Sequence, residues 1–218
     1  MQRGTENESP RLSTPAEFSV QAYFQTLSRT IPQLPYASIQ QIISVIMHAF
    51  EDDQTIFVFG NGGSAATASH IMCDLSKGTI VGSAAPRLKV MAFTDNVPLL
   101  TAWANDAGYD QIFAQQVRNF VRPGDVVLAI SGSGNSPSVI QALRTARDLG
   151  ATTLGMAGFQ GGEMKAFCDI CAVVPSDNIQ VVEDLHHAIA HAILTAIRQM
   201  VYSQPQKAIA SAAARSGD

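Results

Sequence analysis

The sequence predicts an α/β fold: a three-layer sandwich around a central five-stranded parallel sheet, preceded by two amphipathic helices. Three observations predict it. Short apolar runs alternate with helix-period segments from residue 55 to residue 202, the texture of strands joined by crossover helices. Each run is continuously apolar rather than alternating, as a strand covered on both faces must be. Two of the runs end in loops of glycine, serine and asparagine, at the end of a parallel sheet where ligands sit.

The elements follow in order. Residues 1–15 are polar, carry two prolines and show no periodicity, so they read as a disordered leader. Apolar residues recur at helical spacing over Phe18–Ile31 and again over Ser38–Phe50, with an IPQLPY break between. TIFVFG is a buried strand ending at Gly60, and GNGGSAATASHIMCDLSKG runs from a turn into a helix. LKVMAF is the second strand. Asn96–Val121 reads as mostly helical with an interruption near Gly108. DVVLAIS is the third strand, and Pro137–Leu149 is a helix stopped by Gly150. TTLGMAG is the fourth strand, a short helix follows Gly162, and DICAVVP is the fifth strand. Ile179–Tyr202 is a long last helix, and residues 203–218 form a flexible tail rich in alanine, serine and glutamine. Residues 16–202 are therefore expected to fold as one domain that includes the leading helical pair.

Composition narrows the function. The 218 residues are 46% apolar and only 15% charged, with a formal net charge of −4. That is much surface to bury, in a core or against other copies. No lysine or arginine block occurs, so nucleic acid is not an expected partner. No apolar run approaches the ~18 residues of a membrane span, and the first 15 residues lack an apolar signal core, so a cytoplasmic protein is expected. Three cysteines argue against a disulfide framework. Cys168 and Cys171 form a C-x-x-C, but in a strand rather than at the helix start that activates redox pairs, so packing is the expected role.

The loops VFGNGGSAAT and AISGSGNSPS share a plan: strand, small-residue turn, helix start. In the second, Ser136 stands at the N-cap and Pro137 at the first helical position. Free N–H groups and the helix dipole there favour an anion, and Ser131, Ser133 and Ser136 add hydroxyl donors. GNGGSA also fits the dinucleotide pattern G-x-G-x-x-A. That pattern wants an acidic residue about 20 residues on, whereas Asp95 follows the loop by about 30. Two hydroxyl-rich loops suit one compact phosphate on a polyhydroxylated body.

His70 and Asp74 lie four apart on the helix after the first loop; Glu183, His187 and His191 lie four apart on the last helix. Each set shares a helix face. Such residues can bind a divalent metal or supply a base and an acid beside a carbonyl.

GNGGSAATASHIMCDL, SGSGNS and EDLHHAIAH, in this order, resemble the sugar isomerase (SIS) domain family over roughly residues 18–202, nearest its phosphoheptose isomerase branch. The resemblance implies a flavodoxin-like sheet topology and an aldose–ketose isomerase acting on sedoheptulose 7-phosphate through an enediol(ate). It implies a phosphosugar substrate bound by Asn61, Gly62, Gly63 and Ser64, by Asn105 and Asp106, by Ser131, Gly132, Ser133 and Ser136, and by Glu183. It implies one Zn²⁺ held by His70, Asp74, Glu183 and His191, with Asp74 and His191 moving the protons, and a homotetramer. The chain departs from the family in two of these positions: Asp74 replaces a glutamate and Glu183 a glutamine. His187 stands where the family is apolar and is left out of the expected ligand set. The resemblance also implies an alternative, a non-catalytic SIS protein that binds a phosphosugar or the replication initiator DnaA. The metal-competent quartet separates the two, since a pure binding protein has no use for it.

Overall fold

A computed structural model describes residues 19–80 and 87–215, with side chains through Ser203. The expected leader lies outside the described residues. Five strands, β1 (Thr55–Gly60), β2 (Lys89–Ala92), β3 (Val126–Ser131), β4 (Thr152–Ala157) and β5 (Ile170–Val173), form one parallel sheet in the order β2-β1-β3-β4-β5. The helices are α1 (Val20–Thr30), α2 (Tyr36–Glu51), α3 (Gly63–Gly78), α4 (Val97–Ala107), α5 (Ala114–Phe120), α6 (Pro137–Asp148) and α7 (Ile179–Arg215). The expected helix from Asn96 to Val121 is broken into α4, a 3₁₀ turn at Tyr109–Gln111 and α5, because Gly108 takes φ +97°. The last helix continues past its expected end at Tyr202 to Arg215.

Period-two geometry makes the three layers. Ile56 and Val58 of β1 and Leu128 and Ile130 of β3 join the core under α2, α3 and α7. Their neighbours Phe57, Phe59, Val127 and Ala129 enter the core on the opposite face, under α5 and α6. There Phe59 stacks between Phe93 and Phe113, with ring centroids 6.1 and 4.9 Å away. All six residues of β3 are buried, which explains why its sequence is apolar throughout Val126–Ile130, before Ser131 opens the loop. In α2 the apolar stripe Ile39, Ile42, Ile43, Ile46 and Met47 is the buried face.

Polar side chains satisfy the strand starts. Asp125 accepts the N–H groups of Thr55 (2.9 Å) and Arg122 (2.7 Å). Asp169 accepts both the N–H and the hydroxyl of Thr153, at 2.8 and 2.9 Å. Gly155 in β4 leaves room for the cysteine pair: a Cβ there would stand 2.6 Å from Cys168 Sγ and 3.1 Å from Cys171 Sγ. Their mutual hydrogen bond and then burial push the Cys168 thiol well up, and the same bond draws Cys171 down.

α1 is tied to α7 by the Tyr23 hydroxyl, which donates to Asp184 Oδ2 at 2.6 Å. That bond, then burial, then the carboxylate charge push the phenol from its usual value of 10.0 to about 12. The protonated phenol is the bonded form, so the contribution is complete below pH 10.0 and is lost as pH rises through about 12. At neutral pH, Tyr23→Phe is expected to lower stability by about 1 kcal/mol, since the pair is partly solvent-exposed. Urea midpoints check this, and the gap between the two proteins should close as pH climbs through about 12. An unchanged midpoint at neutral pH would remove α1 docking from the role of this bond.

Candidate active site

In this strand order the chain reverses direction of progress between β1 and β3, so their carboxyl ends flank a topological switch point. Both small-residue loops emerge there. After β1, Gly62 takes φ +56° and α3 begins at Gly63. Asn61 bridges outward: its Nδ2 donates to Ser138 Oγ on α6 at 2.9 Å, and its Oδ1 accepts from the Tyr109 hydroxyl at 3.0 Å. Ser64 is buried, its Cβ 2.7 Å from where a Cβ on Gly60 would stand, so close packing of strand against helix requires glycine at position 60.

After β3, the Ser131 hydroxyl is buried, accepts the Gly134 N–H at 3.2 Å and lies 3.2 Å from Ser136 Oγ. Ser136 is at the N-cap of α6, as expected, but its side chain makes no capping hydrogen bond. The hydroxyl turns to Ser131 instead of to the helix, leaving the helix start without a side-chain cap. Ser133 Oγ accepts the Asn135 N–H at 3.2 Å and is exposed. Gly132 packs under α7, a Cβ there falling 2.3 Å from Ile179 Cδ1. Gly134 accepts the Met164 N–H at 2.9 Å, and Asn135 Oδ1 that of Glu163 at 2.9 Å, so the turn after Gly162 clamps the loop from below.

Asn105 and Asp106 end α4 as an exposed pair, Asn105 Nδ2 donating to Asp106 Oδ1 at 2.8 Å. The chain then reaches Tyr109, and so the first loop. Tyr109 was not legible as a site residue: only the tertiary turn brings its hydroxyl to Asn61.

The helices α3 and α7 pack together and face imidazoles across the seam. His70 Nε2 lies 2.9 Å from His191 Nε2 and 3.1 Å from Asp74 Oδ2; His191 Nε2 lies 3.8 Å from the same oxygen. His187 joins them. Its ring centroid is 4.5 Å from that of His70 and 4.9 Å from that of His191. Each of the three offers a ring nitrogen, and all these atoms lie within 4.8 Å of one another. Burial, then the His70 and His191 charges, hold the His187 imidazole below its usual value, favouring the neutral form that ligates metal. The side chains of His70 and His191 are 39% and 52% exposed and that of Asp74 26%, so the cluster is open to a ligand. Nitrogen and carboxylate donors converging on one point suit a zinc-type dication. Glu183 stands one turn before His187 on α7 and reaches the start of α3: a Cβ on Gly63 would meet its carboxylate oxygens at 2.9 and 3.0 Å. The carboxylate thus sits against the first residue of α3, at the positive end of the helix dipole.

His186, next in sequence, turns the other way. It is buried, its Nε2 is 3.0 Å from the Ala157 carbonyl, and burial lowers its affinity for a proton.

α7 thus touches both centres. Ile179 and Val182 pack on Gly132 and Gly158 beside the second loop, Glu183 on Gly63 of the first, and His187 and His191 face His70.

A sequence model of the SIS domain matches residues 21–158. The phosphoheptose isomerase of Bradyrhizobium sp. (strain BTAi1) is 42% identical over 164 residues, 74% of this chain and 80% of that protein. That of Aquifex aeolicus is 39% identical over 165 residues, 74% and 85% of the two chains. The structure of a phosphoheptose isomerase from Francisella tularensis superposes with a TM-score of 0.77 at 30% identity, covering 83% of this chain and 96% of that one.

Proposed function

This chain belongs to the SIS domain family, in its phosphoheptose isomerase branch, and on that premise we propose that it is an aldose–ketose isomerase interconverting sedoheptulose 7-phosphate and D-glycero-D-manno-heptose 7-phosphate. The observation that carries the reading is the seam of His70, Asp74 and His191, joined through α3 and α7 to the two loops of the switch point.

The Ser131–Ser136 loop and the start of α6 take the phosphate, with Ser133 and Ser136 hydroxyls directed to its oxygens. Binding there is remote from the reacting carbons and serves to orient them. Asn61, Gly62, Gly63, Ser64, Asn105 and Asp106 contact the hydroxylated body, and Glu183 borders it at Gly63. Asp74 takes a proton from the carbon beside the ketone; the C–H pair becomes the enediol double bond as the carbonyl oxygen gains a proton. His191 delivers a proton to the former carbonyl carbon, and the neighbouring hydroxyl loses its own to become the aldehyde. No net electron leaves the sugar. Zn²⁺, when bound, would be held by His70, Asp74 and His191, the expected fourth donor Glu183 standing at Gly63, and would supply a Lewis acid for the oxygen on which charge develops.

We further propose residues 16–202 as the working domain and a cytoplasmic homotetramer as the working form. Among the described residues no helix is long and apolar enough to cross a membrane. The exposed apolar side chains Val20 and Phe24 on α1 and Tyr36 at the start of α2 support self-association. A sedimentation mass of a single chain would end that part.

The test is turnover of sedoheptulose 7-phosphate by the purified protein supplied with Zn²⁺. Conversion above background is expected. Background turnover with metal present would sink the isomerase reading and leave a phosphosugar-binding or DnaA-binding role. Ser133→Ala is expected to weaken phosphosugar binding about 5- to 10-fold, the worth of roughly one hydrogen bond, raising KM while kcat changes little. A kcat loss with unchanged KM would remove Ser133 from the phosphate contacts.

A further inference from the structure

We propose that His187 is a metal ligand of this site, so that His70, His187 and His191 form a three-imidazole set with Asp74 beside it, while Glu183 stays at the start of α3. The inference rests on the isomerase reading only for the use made of the metal.

Three features carry it. The nitrogens of His70, His187 and His191 lie within 4.8 Å of one another. Ligands at about 2.0–2.1 Å from a tetrahedral Zn²⁺ stand about 3.3 Å apart, a distance small rotamer changes reach from here. His187 and His191 are one helical turn apart on α7, the spacing by which one helix presents two imidazoles to one ion, and His70 faces them from α3. Among the described residues, no hydrogen bond engages the ring nitrogens of His187, whereas His186 is engaged with Ala157. The His187 lone pair is therefore free.

Charge favours the same set. Two carboxylates beside two imidazoles would cancel the charge of a dication and leave nothing to offset an enediolate. Three neutral imidazoles and one carboxylate leave one positive charge at the oxygen where the anion develops. Glu183, whose carboxylate packs on Gly63, already has a counter-field in the α3 dipole.

The test uses the full chain and a His187→Gln variant. Co²⁺ replaces Zn²⁺ as a spectroscopic probe, and Zn²⁺ affinity is read by competition with a chromophoric chelator. Wild type is expected to bind Co²⁺ with a visible ligand-field band. In His187→Gln the band should weaken and shift, and Zn²⁺ affinity should fall at least ~10-fold. Glu183→Gln should leave both near wild type. Equal metal-free melting temperatures would show that the His187 variant folds. A second measurement needs no variant: Zn²⁺ should protect His187 from carbethoxylation by diethyl pyrocarbonate, read on the fragmented peptide. An unchanged band and affinity in His187→Gln, or equal modification with and without Zn²⁺, overturns the proposal. Wild type that isomerises while His187→Gln keeps its metal behaviour would sink this inference and spare the isomerase. A changed band without wild-type turnover would do the reverse.

Discussion

His191→Ala is expected to lower kcat by about 10³-fold or more while the phosphosugar still binds. A positioned proton-transfer group contributes about 10²–10⁴-fold, and here the same ring sits 2.9 Å from His70 Nε2 and 3.8 Å from Asp74. In the proposed mechanism, removing it strips a proton carrier and a ligand nitrogen together. The proposed phosphate loop, Ser131–Ser136, lies between β3 and α6 and draws its shape from Ser131, Gly134 and the Gly162 turn, none of which hydrogen-bonds to His191. Steady-state kinetics with a separate binding measurement would resolve the two. Near-normal kcat would end the acid–base assignment. A parallel loss of binding would mean that the imidazole holds the ground state as well.

Gly134→Ala should be the most damaging small substitution in the Ser131–Ser136 loop. Gly134 takes φ +69°, which disfavours any Cβ, and that Cβ would stand 2.1 Å from the Gly161 carbonyl oxygen and 2.6 Å from its carbon. Backbone cannot rotate away as a side chain can, so the two loops must separate. The expected cost is about 3 kcal/mol, or a fall in Tm of about 6–12 °C for a chain of this size. Phosphosugar affinity should fall with it, because the loop and the start of α6 would no longer share one concave face. Gly62→Ala is the internal control. Its φ is +56° with ψ −122°, yet nothing lies within 4 Å of its Cβ, so backbone strain of about 1–2 kcal/mol applies there without a clash. Equal melting temperatures for the two variants would show that the Gly134–Gly161 contact does not hold the loop.

Legibility differed from element to element. β1 and β3 were readable as buried strands because both faces of each meet apolar cores, and the runs Ile56–Phe59 and Val126–Ile130 carry no polar residue to confuse the pattern. Gly108 announced a break but not its form, because a glycine marks permission rather than direction. Ser136 was readable as an N-cap position but not as an uncapped one: its hydroxyl had a choice between its own helix and Ser131. At the seam, the one-turn spacing from Glu183 to His187 to His191 was plain in the sequence. Which of the three would face His70, and which would settle on Gly63, was not.

The amino-acid order alone determined the sheet, its sidedness, the two anion-ready loops and the helices that carry the imidazoles. These depend on periodicity, turn chemistry and residue size, which are local properties of a chain. Tertiary packing decided the rest: Tyr109 on Asn61, Glu183 on Gly63, and His187 in place beside His70. Those contacts join residues from 48 to 120 positions apart, and their partners follow from the rotation of α3 and α7 about their axes. That rotation is set by the whole apolar core beneath both helices, so no short stretch of sequence encodes it.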